Sequence, residues 1–176
     1  MLKLKGINND REVVFIEFDD YIPFDINIGK KKFKNLYFRY GDGKRSLLEI
    51  AVNLDDCVMT SCTLTMIKKE NIKKTNITFK NHEYIFNEGT VIFDIAKKYC
   101  NNNLEGFFID NFDSDIYMDL GHNYIALRFS INHCDIESYI INDRLVMGFD
   151  SSKKLCAIIL IQVSLYEIKK FKSSLN

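Results

Sequence analysis

The segment Leu155 to Val163, LCAIILIQV, carries one polar side chain in nine positions. Ahead of it, RLVMGFD sets Leu145, Met147 and Phe149 on one side of a pleat, and Asp150 to Lys154 supplies a polar turn between the two runs. So dry a run after a turn predicts a central strand covered on both faces. Such a strand needs a layer on either side, which points to a globular sheet protein with a sizeable core.

At 176 residues the chain is long enough to bury that core without staples, and a single domain over residues 1–176 is expected. Its 24 Lys and Arg balance 24 Asp and Glu, and 47% of its residues are hydrophobic. That balance argues against a disordered chain and against a general nucleic-acid binder. No apolar run approaches the roughly 18 residues of a membrane span, and MLKLKG is too short and too alternating for a signal-peptide core. A cytoplasmic protein with no membrane segment is expected. Cys57, Cys62, Cys100, Cys134 and Cys156 are odd in number, show no CxxC spacing and mostly sit in apolar runs, as reduced structural thiols do.

Strand patterns dominate. REVVFIEFD (Arg11 to Asp19), FKNLYFRY (Phe33 to Tyr40), LLEIAVN (Leu47 to Asn53) and CVMTSCTLTMI (Cys57 to Ile67) alternate or are rich in β-formers. Asp42-Gly43 between the second and third predicts a hairpin from Phe33 to Asn53. From Lys68 to Lys80 five lysines and little apolar material predict an exposed connection. In the second half EGFFID, DIYMDLG, NYIALRFSI, DIESYII, RLVMGFD and KLCAIILIQVS follow one another as short strands separated by Gly, Asp, Asn and Ser. The strongest helical pattern is Thr90 to Cys100, with Thr90 as a cap, a stripe of Val91, Ile92, Ile95, Ala96 and Tyr99, and Lys97 and Lys98 near its end. The expected class is α+β, one domain built mainly of antiparallel sheet with one or two helices packed on a face.

Catalytic signatures are missing from the sequence. His82, His122 and His133 lie in polar turns, and the His133, Cys134, Asp135, Glu137 group lacks zinc-ligand spacing. Gly41-Asp42-Gly43 followed by Lys44, Arg45 and Ser46 imitates a phosphate loop, but the residues after it alternate as a strand instead of opening a helix. No nucleophile elbow or other nucleophile motif is present. Asp110, Asp113, Asp115 and Asp119 cluster with Phe112 and Tyr117, without the glycine and closing glutamate of a calcium loop. The halves are also biased: residues 1–80 hold fifteen Lys or Arg against eleven acids, and residues 81–176 hold nine against thirteen. An acidic, aromatic-bearing surface suits a basic partner.

The stretch DRLVMGFDSSKKLCAIILIQVS resembles a pattern found in small bacterial β-rich proteins, and heavy use of Lys, Asn and Ile with one Pro and no Trp suggests an AT-rich gene. Taken whole, the chain resembles bacterial immunity proteins of the contact-dependent growth inhibition type. That resemblance implies a non-enzymatic binder, without metal or cofactor, that neutralises a cognate toxin domain, commonly a nuclease, encoded by a neighbouring gene. It also implies that a sheet edge can accept strands from the toxin. On this reading Asp110, Asp113, Asp115, Tyr117 and Asp119 face the partner's cations and Phe112 anchors, a core place being the plainer alternative for Phe112. Two other classes compete: a small divalent-metal hydrolase or nuclease built on the same aspartates, and a subunit of a larger assembly, for instance a homodimer through a sheet edge.

Overall fold

The computed structural model describes residues 1–74, 86–96, 99, 106–129 and 136–175. Within them the strands are β1 (Leu4–Asn8), β2 (Val14–Glu17), β3 (Phe24–Ile28), β4 (Asn35–Gly41), β5 (Leu47–Asn53), β6 (Met59–Met66), β7 (Ile72–Lys74) and β8 (Phe86–Glu88). There follow β9 (Thr90–Phe93), β10 (Phe108–Asn111), β11 (Tyr117–Leu120), β12 (Ile125–Arg128), β13 (Ser138–Asn142), β14 (Leu145–Phe149), β15 (Leu155–Leu160) and helix α1 (Leu165–Ser174).

They form three sheets. A six-stranded sheet runs β10-β4-β5-β6-β3-β2, a seven-stranded sheet runs β7-β11-β12-β15-β14-β13-β8, and β1 pairs with β9 alone. Pairing is antiparallel except for β10 with β4, β7 with β11 and β8 with β13. The anticipated dry strand is β15, in the middle of the second sheet with all six residues buried. The expected hairpin is β4–β5, in register from Asn35 opposite Asn53 to Gly41 opposite Leu47.

Alternation builds the core. Leu36, Phe38 and Tyr40 of β4, Leu48, Ile50 and Val52 of β5 and Phe24, Ile26 and Ile28 of β3 turn inward. They join one apolar cluster with Met118, Leu127, Met147, Phe149, Ile158 and Leu160 of the second sheet. Tyr40 spans the layers: its ring lies 4.9 Å from that of Phe129, and its hydroxyl accepts from the Leu2 N–H at 3.1 Å. The opposite face of the second sheet carries a smaller cluster of Tyr124, Ala126, Val146, Ala157, Ile159 and Ile161, which is why β15 has no wet side.

The expected α+β class, built mainly of antiparallel strands with a helix, agrees with this architecture, whose strands divide among three sheets and are followed by α1. One expectation needs correction. The stretch Thr90 to Phe93, expected to open a helix, is strand β9, with Leu4 opposite Phe93 and Asn8 opposite Thr90. Thr90, Val91 and Ile92 are β-branched and stiff at χ1, and β1 offers them a partner remote in sequence. Lys97, Lys98 and Cys100, the rest of the expected helical end, lie outside the described residues, as do Cys134, His82 and His133. Cys57, Cys62 and Cys156 are not joined in disulfides among the described residues. The lysine-rich connection contains a 3-10 turn at Lys69–Asn71 and β7, and its part from residue 75 to 80 is outside the described residues.

The helix that does form begins with a reciprocal cap. Ser164 Oγ accepts from the Glu167 N–H at 3.2 Å, and the Glu167 carboxylate accepts from the Ser164 N–H at 2.7 Å. Ile168 and Phe171 are its buried side, and the Phe171 ring meets Phe18 edge-on at 6.4 Å. No described helix is long and apolar enough to cross a membrane.

Candidate partner-binding face

Inward alternation in the six-stranded sheet leaves the intervening residues on its outer face, and the registers align them in rows. One row reads Phe15, Asn27, Ser61, Ala51, Tyr37, Phe108 across β2, β3, β6, β5, β4 and β10. The next reads Glu17, Asp25, Thr63, Glu49, Arg39, Asp110 in the same strand order. The first row has aromatic ends around Asn27, Ser61 and the buried Ala51, with Phe15 57% and Phe108 50% exposed. The second has four carboxylates and one cation.

Arg39 organises the β10 end. Its guanidinium donates to Asp110 through Nε at 2.7 Å and Nη2 at 3.0 Å, and lies 4.4 Å from the centre of the Phe108 ring. The hydrogen bond to Asp110 raises the Arg39 pKa. Glu49, opposite Arg39, is held above its usual pKa because burial outweighs the opposing field of that arginine. Asp25 accepts from Thr63 Oγ1 at 2.5 Å and from Asn27 Nδ2 at 2.7 Å, both neutral donors. At the other end β2 is an edge strand. Gly29 donates to the Val13 carbonyl at 2.8 Å, which fixes the ladder phase so that Val14 and Ile16 turn their main-chain groups away from β3.

The aspartates singled out in the sequence do not form one patch. Asp110 belongs to the face just described. Phe112 is 38% exposed, with its ring against Gly43 and 5.5 Å from the Arg39 guanidinium carbon. Asp113 is exposed and has no side-chain hydrogen bond or ion pair among the described residues. Asp115 accepts from Lys68 Nζ at 2.6 Å, and the same ammonium lies 3.2 Å from Asp42. Tyr117 is half-buried on β11, and Asp119 is locked to Arg128 by contacts of 2.7 and 3.2 Å in the other large sheet. The segment thus passes from the edge of one sheet into another, and three of its four carboxylates meet a cation on the way.

The glycine turn also resolves. Asp42 Oδ1 accepts from the N–H groups of Arg45, Lys44 and Ser46 at 2.7, 2.9 and 2.9 Å, which holds that carboxyl well below the usual range. Those amides already have an anion of the chain's own. Gly41 is required there: its φ is 112° and a Cβ would meet the Ser46 carbonyl oxygen at 2.1 Å. His122 is exposed, and among the described residues no three His, Cys, Asp or Glu come together as a metal-holding group.

Sequence reasoning missed Glu17, Asp25, Glu49, Phe15, Tyr37 and Phe108 as a set. Alternation placed several of them on wet faces, but only the strand order joins them. No protein-family model matches the chain, and a search of curated proteins gives no significant match.

Proposed function

We propose that this chain is a binding protein that neutralises a cognate toxin domain, as the immunity proteins it resembles do, and that the outer face of the six-stranded sheet receives the partner. The observation that carries this reading is the row Glu17, Asp25, Glu49, Asp110 with Arg39 as its one cation, beside a row ending in exposed Phe15 and Phe108. Carboxylates on a broad face with apolar anchors suit a domain that presents cations, as a nuclease must toward phosphates. The β2 edge borders this face, and the main-chain groups of Val14 and Ile16 point away from β3 with no partner among the described residues, so a strand of the toxin can extend the sheet while its side chains meet the acidic row.

Calorimetry of the chain with the toxin domain encoded by the neighbouring gene tests it. The expected result is an equimolar complex in the nanomolar range with loss of the toxin's activity. Absence of a complex would overturn the reading.

A further inference from the structure

A second feature of the six-stranded sheet carries the opposite charge. The loop Gly29 to Lys34 between β3 and β4 overhangs a groove of about 580 Å³, with Asn27, Ser61 and Tyr37 on its sheet side. The loop contributes Lys30, Lys31, Lys32 and Lys34. Lys32 reaches Asp56 at 2.6 Å and Lys34 reaches Asp55 at 3.5 Å, whereas Lys30 and Lys31 are exposed with no carboxylate partner among the described residues.

The main chain of the loop is satisfied on one side only. The carbonyls of Lys32, Phe33 and Lys34 accept from Asn35 Nδ2 at 3.2 Å, Asn53 Nδ2 at 2.6 Å and the Leu54 N–H at 3.0 Å. The N–H groups of Lys30, Lys31, Lys32 and Phe33 meet no acceptor among the described residues. Asn53, which is 3% exposed, fixes the arrangement, since its Oδ1 also accepts from the N–H groups of Asp55 and Asp56. Carbonyls held by Asn35, Asn53 and Leu54, successive amides left as donors and two ammonium groups without a carboxylate partner among the described residues are what an anion with several oxygens requires.

We infer that this groove binds a compact phosphate-bearing small molecule. Its volume lies within the range of about 300 to 1,000 Å³ typical of small-ligand sites. A phosphate chain uses clustered donors more fully than a carboxylate-bearing peptide, whose charges are spread along an extended backbone. The groove shares Asn27, Ser61 and Tyr37 with the first row of the partner face, but the inference does not rest on toxin binding, and its failure would leave that reading untouched.

The test is calorimetry with sodium tripolyphosphate at low salt, on the wild-type chain, Lys30→Gln/Lys31→Gln and Lys69→Gln/Lys172→Gln. The last pair removes two of the three lysines, Lys69, Lys74 and Lys172, that line a different groove. One site of micromolar affinity is expected, weakened about tenfold or more by the loop substitutions and unchanged by the control pair. Amide shifts at Lys30 to Phe33 accompany binding. No binding, equal loss in both variants, or tighter binding of a polyglutamate peptide would each overturn it.

Discussion

Arg39 and Asp110 meet side by side in a two-pronged ion pair that fastens the edge strand β10 to β4. Their side chains are 28% and 42% exposed, so solvent screens the pair and its share of stability is small, about 0.5 to 1 kcal/mol. Asp110→Asn is expected to move the urea midpoint slightly while leaving Arg39 over Phe108. A loss above about 2 kcal/mol would mean that β10 depends on the pair for its docking.

Charge reversal separates two places for the partner. Glu17→Lys with Glu49→Lys is expected to slow toxin association by about tenfold or more at low salt and less at high salt. Asp113→Lys is expected to act weakly, because it lies on the turn beyond the face. Stopped-flow rates at two ionic strengths distinguish the cases; the reverse ranking would move the interface to the turn.

Tyr40 is fully buried with its hydroxyl on the Leu2 amide, so Tyr40→Phe leaves that amide without its partner. A loss of about 1 to 2 kcal/mol in urea unfolding is expected. Burial raises the phenol pKa from 10.0 to about 12. A raised folded-state pKa contributes stability that is present below pH 10 and lost as pH rises toward 12. The Phe variant lacks this part of the alkaline decline, and identical alkaline profiles for both chains would remove Tyr40 from the account.

Glu167 behaves in the opposite sense. Burial raises its pKa, but hydrogen bonds from Ser164 and the Arg144 guanidinium outweigh that and leave it below 4.5. Its contribution is therefore present above pH 4.5 and lost as pH falls through the depressed value. Glu167→Gln keeps the shape of the cap and loses the charge. A cost of about 1 kcal/mol near neutrality, shrinking in acid, is expected from denaturation at several pH values.

Much of the sheet was legible in the residues. Asp42-Gly43 marked the β4–β5 hairpin, and the dryness of Leu155 to Leu160 marked a central strand because only a strand flanked and covered can lack a wet side. At Thr90 to Phe93 the residues mislead, because a stripe at helical spacing cannot reveal that β1 waits elsewhere in the sequence. Helix α1 has a readable start in Ser164-x-x-Glu167, followed by Ile168 and Phe171, though its apolar stripe is shorter than the one that opens at Thr90. The candidate face was hidden for a different reason: Glu17, Asp25, Glu49 and Asp110 become neighbours only through strand order, which alternation does not encode.

Leu2 is held at both of its main-chain groups, its N–H by Tyr40 and its carbonyl by the Leu155 N–H at 3.0 Å. The Leu4 N–H reaches the Lys153 carbonyl at 2.8 Å. On a ribosome β1 therefore waits first for β9, its ladder partner, and the contacts of Leu2 and Leu4 wait longer, until the β14–β15 hairpin has emerged. The β4–β5–β6 meander can assemble early from local contacts, whereas the contacts of Leu2 and Leu4 with Lys153 and Leu155 join segments distant in sequence, a late and slow step for a chain so dependent on distant strand pairs.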